Sequence, residues 1–313
     1  MVEKVPYEEF SYFHENAEEY GIPFKPPTVR REFVEVAPGR RLSMLVWGNS
    51  EPELVFLHGG AQNAHTWDTV ALALDTPMLC IDLPGHGHSD GAGSDRTQGP
   101  TDLFGNAEDI AVVIRKYAPN AKAVIGMSLG GMTTIALLHV APELVHKAVL
   151  VDVTPGVNQE KASAISNFVN GPKTFPSFEE LLERTIEHNP TRSVASLRRG
   201  ILHNAIQEDD GSWVWRYRRH ASGGFGERSG DDAGQDPLPG FASMWDVLAA
   251  ATVPVMLVRG MRSQSVVDDE DEEKFLETVA EPFVVRVAEA GHSVQGDTPV
   301  ELAEMIRDFA LTN

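Results

Sequence analysis

Cysteine is almost absent from this chain. Cys80 is the one cysteine in 313 residues, so no disulfide can close within it. It sits in the apolar run Met78-Leu79-Cys80-Ile81, where a thiol is expected to behave as a small buried hydrophobe and not as a nucleophile. Long apolar runs are also missing: no stretch approaches the length needed to span a bilayer, and the acidic opening from Met1 to Phe10 lacks the apolar core of a signal peptide. The expectation is a soluble, cytoplasmic protein. Basic residues are scarce, with 26 Lys and Arg against 46 Asp and Glu for a net charge of −20. Such a surface repels phosphate backbones and anionic headgroups, which argues against nucleic acid or membrane as partners. Neither an HExxH metal motif nor a phosphate-cradling glycine loop is present, so no metal and no cofactor is expected. A small molecule is the expected partner, with the oligomeric state, homo-oligomer included, left undetermined.

What is present is an alternation. Short apolar runs exchange with longer helical patterns, which predicts a mainly parallel sheet flanked by helices. Strands are expected at Glu32–Val36 and Leu42–Trp47, antiparallel around Pro38-Gly39, then at Leu54–Leu57, Met78–Ile81, 121–125, Ala148–Val151, Val255–Val258 and Phe283–Val287, eight in all. Helices fit 102–117, 129–140, 269–280 and 299–311. The acidic run Asp268–Glu273 reads as charge placed at a helix N-terminus. The alternation breaks between 156 and 245, where helical stretches (177–188, 192–206), a Trp213-Val214-Trp215 patch and a glycine-rich segment from Ser222 to Gly240 suggest an inserted helical lid. The division is an N-terminal extension at 1–29, a core at 30–155 and 246–313, and a lid at 156–245. Arg216, Arg218, Arg219 and His220 read as a solvated lid face.

The sequence Gly126-Met127-Ser128-Leu129-Gly130 falls between the strand at 121–125 and the helix at 129–140. A serine between two glycines at a strand-to-helix corner is pushed out of the sheet edge, since a side chain at either glycine would clash in the tight turn. Ser128 is therefore the candidate nucleophile. Serine needs a base, and His292, in Ala290-Gly291-His292-Ser293-Val294 directly after the last strand, is the candidate. Loops at the carboxyl ends of parallel strands share one edge of a sheet, so the two residues should converge. Acyl transfer also needs donors for a developing oxyanion. The N–H of Leu129 is one; Gly60, in His58-Gly59-Gly60-Ala61 after the third strand, is expected to supply the other. His58 reads as structural, and His65 and Trp67 as helix-start packing or pocket walls.

His58-Gly59-Gly60, Asp82-Leu83-Pro84-Gly85-His86-Gly87-His88-Ser89, Gly126–Gly130 and Gly291-His292 occur in order between residues 30 and 310. Together they resemble the alpha/beta-hydrolase superfamily and its lidded serine-hydrolase branch. The resemblance implies an eight-stranded alpha/beta-hydrolase sheet with a lid after the sixth strand, and a structural role for the Asp82–Ser89 loop. It also implies an acid in the turn after the seventh strand. Here that turn, Arg259-Gly260-Met261-Arg262-Ser263-Gln264-Ser265, holds no carboxylate. The alternatives are Asp152, at the end of the sixth strand, Asp268 or Asp269 further on, or no acid at all; Asp152 is the expected one. Every choice of acid keeps the chain order Ser…Asp…His.

The leading expectation is a serine hydrolase of carboxylic esters (lactones and thioesters included) acting through an acyl-enzyme. A carbon–carbon bond hydrolase of a ring-cleavage product would use the same residues; a ligand-binding relative without turnover is the alternative of another class. Trp213, Trp215, Phe168, Phe175 and Phe178 suggest a small apolar substrate, although such residues also make a lid's own core.

Overall fold

A computed structural model describes residues 4–91, 102–156, 169, 171–217 and 244–312. Its main sheet contains β1 (Val29–Ala37), β2 (Arg40–Trp47), β3 (Leu54–Leu57), β4 (Met78–Ile81), β5 (Ala123–Met127), β6 (Ala148–Val151), β10 (Val255–Gly260) and β11 (Pro282–Val287). The strand order is β1-β2-β4-β3-β5-β6-β10-β11. Pairings of β1 with β2 and β2 with β4 are antiparallel, and the rest are parallel. All eight expected strands are in this sheet; β5 begins and ends two residues later than its apolar run suggested, because Gly126 and Met127 continue the ladder up to the corner.

The short central strands are buried on both faces, and alternation along each sends neighbours to opposite cores. Val55, Leu57, Val124 and Leu150 pack on one face with α3 (Leu103–Tyr117) and α4 (Leu129–Val140). Leu54, Phe56, Ile125 and Val149 pack on the other with α2 (Asp68–Leu74) and α9 (Pro299–Ile306). Cys80 lies in the second core, fully buried, and burial pushes its thiol well above the usual range, as expected of an inert side chain. The acidic run opens α8 (Asp269–Thr278), with Asp268 and Asp271 forming a capping box. A short α1 (Phe13–Glu19) in the N-terminal extension has no counterpart in the sequence reading.

Between β6 and β10 the described residues include α5 (Phe178–His188), α6 (Val194–Asn204) and α7 (Met244–Ala250). They also hold a small antiparallel sheet that the helical expectation missed, with β7 (Thr174–Phe175), β8 (Ala205–Gln207) and β9 (Trp213–Trp215) in the order β7-β9-β8. The aromatic patch is thus a strand. Phe175 and Trp213 are buried with Leu181, Ile201 and Tyr12, and Phe178 and Trp215 pack against them, so these aromatics build a separate core. Phe168, Arg218, Arg219, His220 and the Ser222–Gly240 segment lie outside the described residues. Among those residues, no helix is long and apolar enough to cross a membrane.

Candidate active site

Ser128 stands at the corner between β5 and α4 with φ 51° and ψ −115°. A non-glycine residue in that region stores strain of roughly 1–3 kcal/mol, and the surrounding packing must hold it there. The flanking glycines make the packing feasible. A Cβ on Gly126 would approach the Gly130 carbonyl oxygen to 2.3 Å, and one on Gly130 would approach that of Leu57 to 2.2 Å. The corner is fixed from behind by Thr134 Oγ1–H donating to the Gly130 carbonyl at 2.8 Å, and by the Ser128 N–H donating to Val151 O at 3.3 Å.

Of the two expected oxyanion donors, Leu129 begins α4, where backbone N–H groups have no partner within the helix. The loop after β3 sorts its own donors. Gly59 N–H goes to Gln62 Oε1 at 3.1 Å, Ala61 N–H to His86 Nε2 at 3.1 Å, and Gln62 N–H to the Gly59 carbonyl at 3.2 Å. Among the described residues, only the Gly60 N–H of these four has no acceptor. His58 is buried, its Nδ1–H donating to the Gly59 carbonyl (2.7 Å) while Nε2 accepts from Leu83 N–H (2.9 Å); burial lowers its pKa and keeps it neutral. This arrangement is structural, as expected. The Asp82–Ser89 loop performs the same kind of work: Asp82 accepts from Ala64 N–H at 2.7 Å and His88 N–H at 3.0 Å, and His86 holds Ala61.

His292 follows β11, and its Nδ1 lies 2.9 Å from Asp152 Oδ2. Asp152 is completely buried at the end of β6, in the left-handed region at φ 48°. That conformation turns its carboxylate towards the turn after β10. There Oδ1 accepts from Gly260 N–H (2.9 Å) and Ser265 Oγ–H (2.6 Å), and Oδ2 accepts from Val266 N–H (3.0 Å) besides His292. The turn that lacks a carboxylate thus aims its donors at the one supplied by the neighbouring strand. Ser265 and the Val266 amide were not anticipated; the signal available was a hydroxyl-bearing residue in a turn where an acid was expected.

Asp268 and Asp269 are engaged elsewhere. Asp268 accepts from Asp271 N–H at 3.1 Å in the α8 cap, and Asp269 forms an ion pair with Arg259 Nη1 at 2.8 Å. Arg259 also binds Glu272 at 2.8 Å and the Val267 carbonyl at 3.2 Å, which pins the turn carrying Ser265.

A second polar cluster begins just past the oxyanion loop. His65 Nδ1 is 2.8 Å from Asp68 and its Nε2 is 3.0 Å from Glu9; Arg31 joins Glu9 to Asp82, at 2.7 Å from the latter. Burial alone would lower the His65 pKa, but Asp68 and Glu9 overcome it and raise it to about 9. Burial would likewise raise Glu9 and Asp82. The hydrogen bonds of His65 and Arg31 hold Glu9 at about 2, and the Arg31 charge holds Asp82 at about 2. The linkage follows. The carboxylates contribute stability that is present above their unfolded pKa near 4 and lost as pH falls towards 2, whereas His65 contributes below pH 6.5 and loses its share as pH rises through 9. Melting temperature should fall as pH rises from 6.5 through 9 by the His65 share; on the acid side it should fall already below 6.5, because burial keeps His58, His88 and His203 neutral, and further below 4 as the carboxylates protonate. In His65→Gln the alkaline fall should flatten; an unchanged alkaline limb would contradict the assignment.

His65, Asp68 and His203 are also the described groups that come nearest to a metal-binding set, one ligand atom from each lying within 4.8 Å of the others. The two imidazoles are stacked, with centroids 3.8 Å apart and planes at 11°. Their in-plane lone pairs therefore lie in two separate, nearly parallel planes, and one ion cannot lie in both. With both His65 nitrogens facing carboxylates, the arrangement suits a proton better than a metal.

Comparison with known proteins places the chain in a family. Residues 54–305 match the alpha/beta hydrolase family. Esterase Rv0045c of Mycobacterium tuberculosis is 42% identical over 306 residues, covering 96% of this chain and 95% of that protein. A solved structure of that esterase, described in connection with transition metal inhibition, superposes with a TM-score of 0.82 at 40% identity, covering 97% of this chain and 99% of its own. Protein phosphatase methylesterase 1 of Mus musculus is 29% identical over 161 residues, 48% of this chain and 40% of that protein.

Proposed function

Because the chain belongs to the alpha/beta hydrolase family and is an ester-bond hydrolase, we propose that it cleaves carboxylic esters through an acyl-enzyme on Ser128. The Ser128 oxygen attacks the ester carbonyl carbon while His292 Nε2 takes its proton. The imidazolium that forms is stabilised and oriented through Nδ1–H by the Asp152 carboxylate. Negative charge on the carbonyl oxygen is met by the N–H groups of Gly60 and Leu129. As the tetrahedral intermediate collapses, the C–O bond to the alcohol breaks and His292 returns the proton to the leaving oxygen. Water then enters, loses a proton to His292 and attacks the acyl carbon. The carboxylic acid leaves and Ser128 recovers its proton.

The observation that carries this reading is the part-buried Asp152–His292 hydrogen bond of 2.9 Å, at the same sheet edge as a serine held at φ 51°. In this reading residues 156–245 are a lid over a core of 30–155 and 246–313. Described parts of that lid, together with the N-terminal extension at 1–29, wall a cavity whose lining includes Ala61 and Ser293, the residues that follow Gly60 and His292. One buried cysteine fits a reducing, cytoplasmic setting.

Covalent labelling tests the proposal. Phenylmethylsulfonyl fluoride should add one sulfonyl group to the peptide containing Ser128, with activity lost in proportion. Labelling confined to another peptide, or full activity in the labelled protein, would remove Ser128 from the mechanism.

A further inference from the structure

Behind the oxyanion loop lies a cavity of about 150 Å³. It borders the reaction centre on two sides, through Ala61 and Gln62, which follow Gly60, and through Ser293 and Gln295, which follow His292. Five of its lining residues carry a buried polar atom without a hydrogen-bond partner among the described residues: Asp68 Oδ1, Arg192 Nε, Arg199 Nε, His203 Nε2 and Gln295 Oε1. Asp68, Arg199, His203 and Gln295 are each at most 4% exposed. An unmet buried polar atom costs roughly 1–3 kcal/mol, and five of them on residues around one cavity give it a polar wall.

The charges indicate the sign of occupant it suits. Arg199 is matched by Glu19 and, at 3.6 Å, by Glu15. Glu19 also accepts from Ser193 Oγ–H. Asp297 is taken by Thr191 Oγ1–H at 3.0 Å and Gly291 N–H at 2.8 Å, and Asp68 by His65 at 2.8 Å. Arg192 differs. Its guanidinium donates to Ser196 Oγ at 2.5 Å and lies against Gly296, and it forms no ion pair among the described residues. Asp297 and Glu19 act on it only through space, and burial lowers its pKa. A half-buried cation with no ion pair among the described residues is a receptor for an incoming anion. Of the aromatics that suggested an apolar substrate, the described ones belong to their own core, and among these Trp215 alone reaches this cavity.

We infer that this cavity is a substrate subsite for the anionic end of a carboxylate-bearing ester, with Arg192 reading the charge. The inference rests on the ester-hydrolase reading and adds the substrate class. Gln295 Nε2 bonds Gln62 Oε1 at 3.4 Å, and Gln62 Oε1 accepts from Gly59 N–H, so an occupied subsite bears directly on the oxyanion loop.

The test compares mono-p-nitrophenyl esters of dicarboxylic acids, from succinic to pimelic, with counterparts whose free carboxylate is capped as a methyl ester. At the best chain length, kcat/KM should favour the charged ester by about tenfold or more, the range of a charge-assisted hydrogen bond. Arg192→Gln should bring that ratio close to one, chiefly through KM; Arg192→Lys should keep part of it, and Arg198→Gln, at an exposed position on the helix that follows Arg192, should keep all of it. Free glutarate should raise the melting temperature of the wild type and not of Arg192→Gln. Turnover of the capped esters with no preference for charge at any length would overturn the subsite and leave the hydrolase standing. Failure to turn over either series, with a glutarate shift that Arg192→Gln abolishes, would overturn the hydrolase reading while keeping the anion site.

Discussion

Replacing Ser128 with alanine should lower kcat for ester hydrolysis by four to six orders of magnitude, on the order of the loss seen when a serine hydrolase loses its nucleophile. The size follows from the role. Without the hydroxyl no acyl-enzyme forms, and what remains is water attack assisted by His292 and the Gly60 and Leu129 amides. The fold should be almost untouched, because alanine meets the same strain at φ 51° as serine does and the corner is held by the flanking backbone contacts. Kinetics on a p-nitrophenyl ester, set beside a urea unfolding curve, separate the two effects. An active, stable Ser128→Ala protein would mean another nucleophile is used.

Asp152→Asn should lower kcat by about 10⁴, the scale of a base held in the wrong tautomer. Four donors converge on the Asp152 carboxylate: the amides of Gly260 and Val266, the Ser265 hydroxyl and His292 Nδ1–H. An amide offers one accepting oxygen and one donating nitrogen, so donors face donors on one side whichever way it turns. With the nitrogen towards His292, the ring must accept at Nδ1 and carry its proton on Nε2, where it cannot take one from Ser128. With the nitrogen towards Gly260 and Ser265, the turn after β10 loses its anchor. Either arrangement leaves buried groups unmatched at roughly 1–3 kcal/mol each, so the variant should also unfold at lower urea. Asp152→Ala should be less stable again.

The sheet was legible because each central strand is a short apolar run buried on both faces, a pattern carried by consecutive residues such as Leu54–Leu57 and Ala148–Val151. The serine corner was legible for a similar reason: Gly126 and Gly130 are required by contacts within a few residues and with one adjacent strand. Asp152 could be proposed from its place at a strand end, since β6 pairs with both β5 and β10. What could not be read is what surrounds it. That Ser265 and not Ser263 reaches the carboxylate depends on the path of the turn backbone, which no periodicity encodes. Glu9 meets His65 across 56 positions because α1 packs beside α2, and neither the helix nor its partner announces itself in composition. The Trp213–Trp215 patch was read as helical-lid sequence because a strand of three residues is too short to show alternation.

The central claim is that the acid of this site is Asp152, relocated from the turn after β10 to the end of β6. The measurement that tests it most directly is kcat on a single ester for Asp152→Asn beside Asp268→Asn. The comparison is clean because asparagine caps a helix about as well as aspartate, so the second change leaves the α8 N-terminus supported. The account predicts a fall of about 10⁴ for Asp152→Asn and a rate within a few-fold of wild type for Asp268→Asn. A nearly wild-type rate in Asp152→Asn, or a collapse in Asp268→Asn, would contradict it.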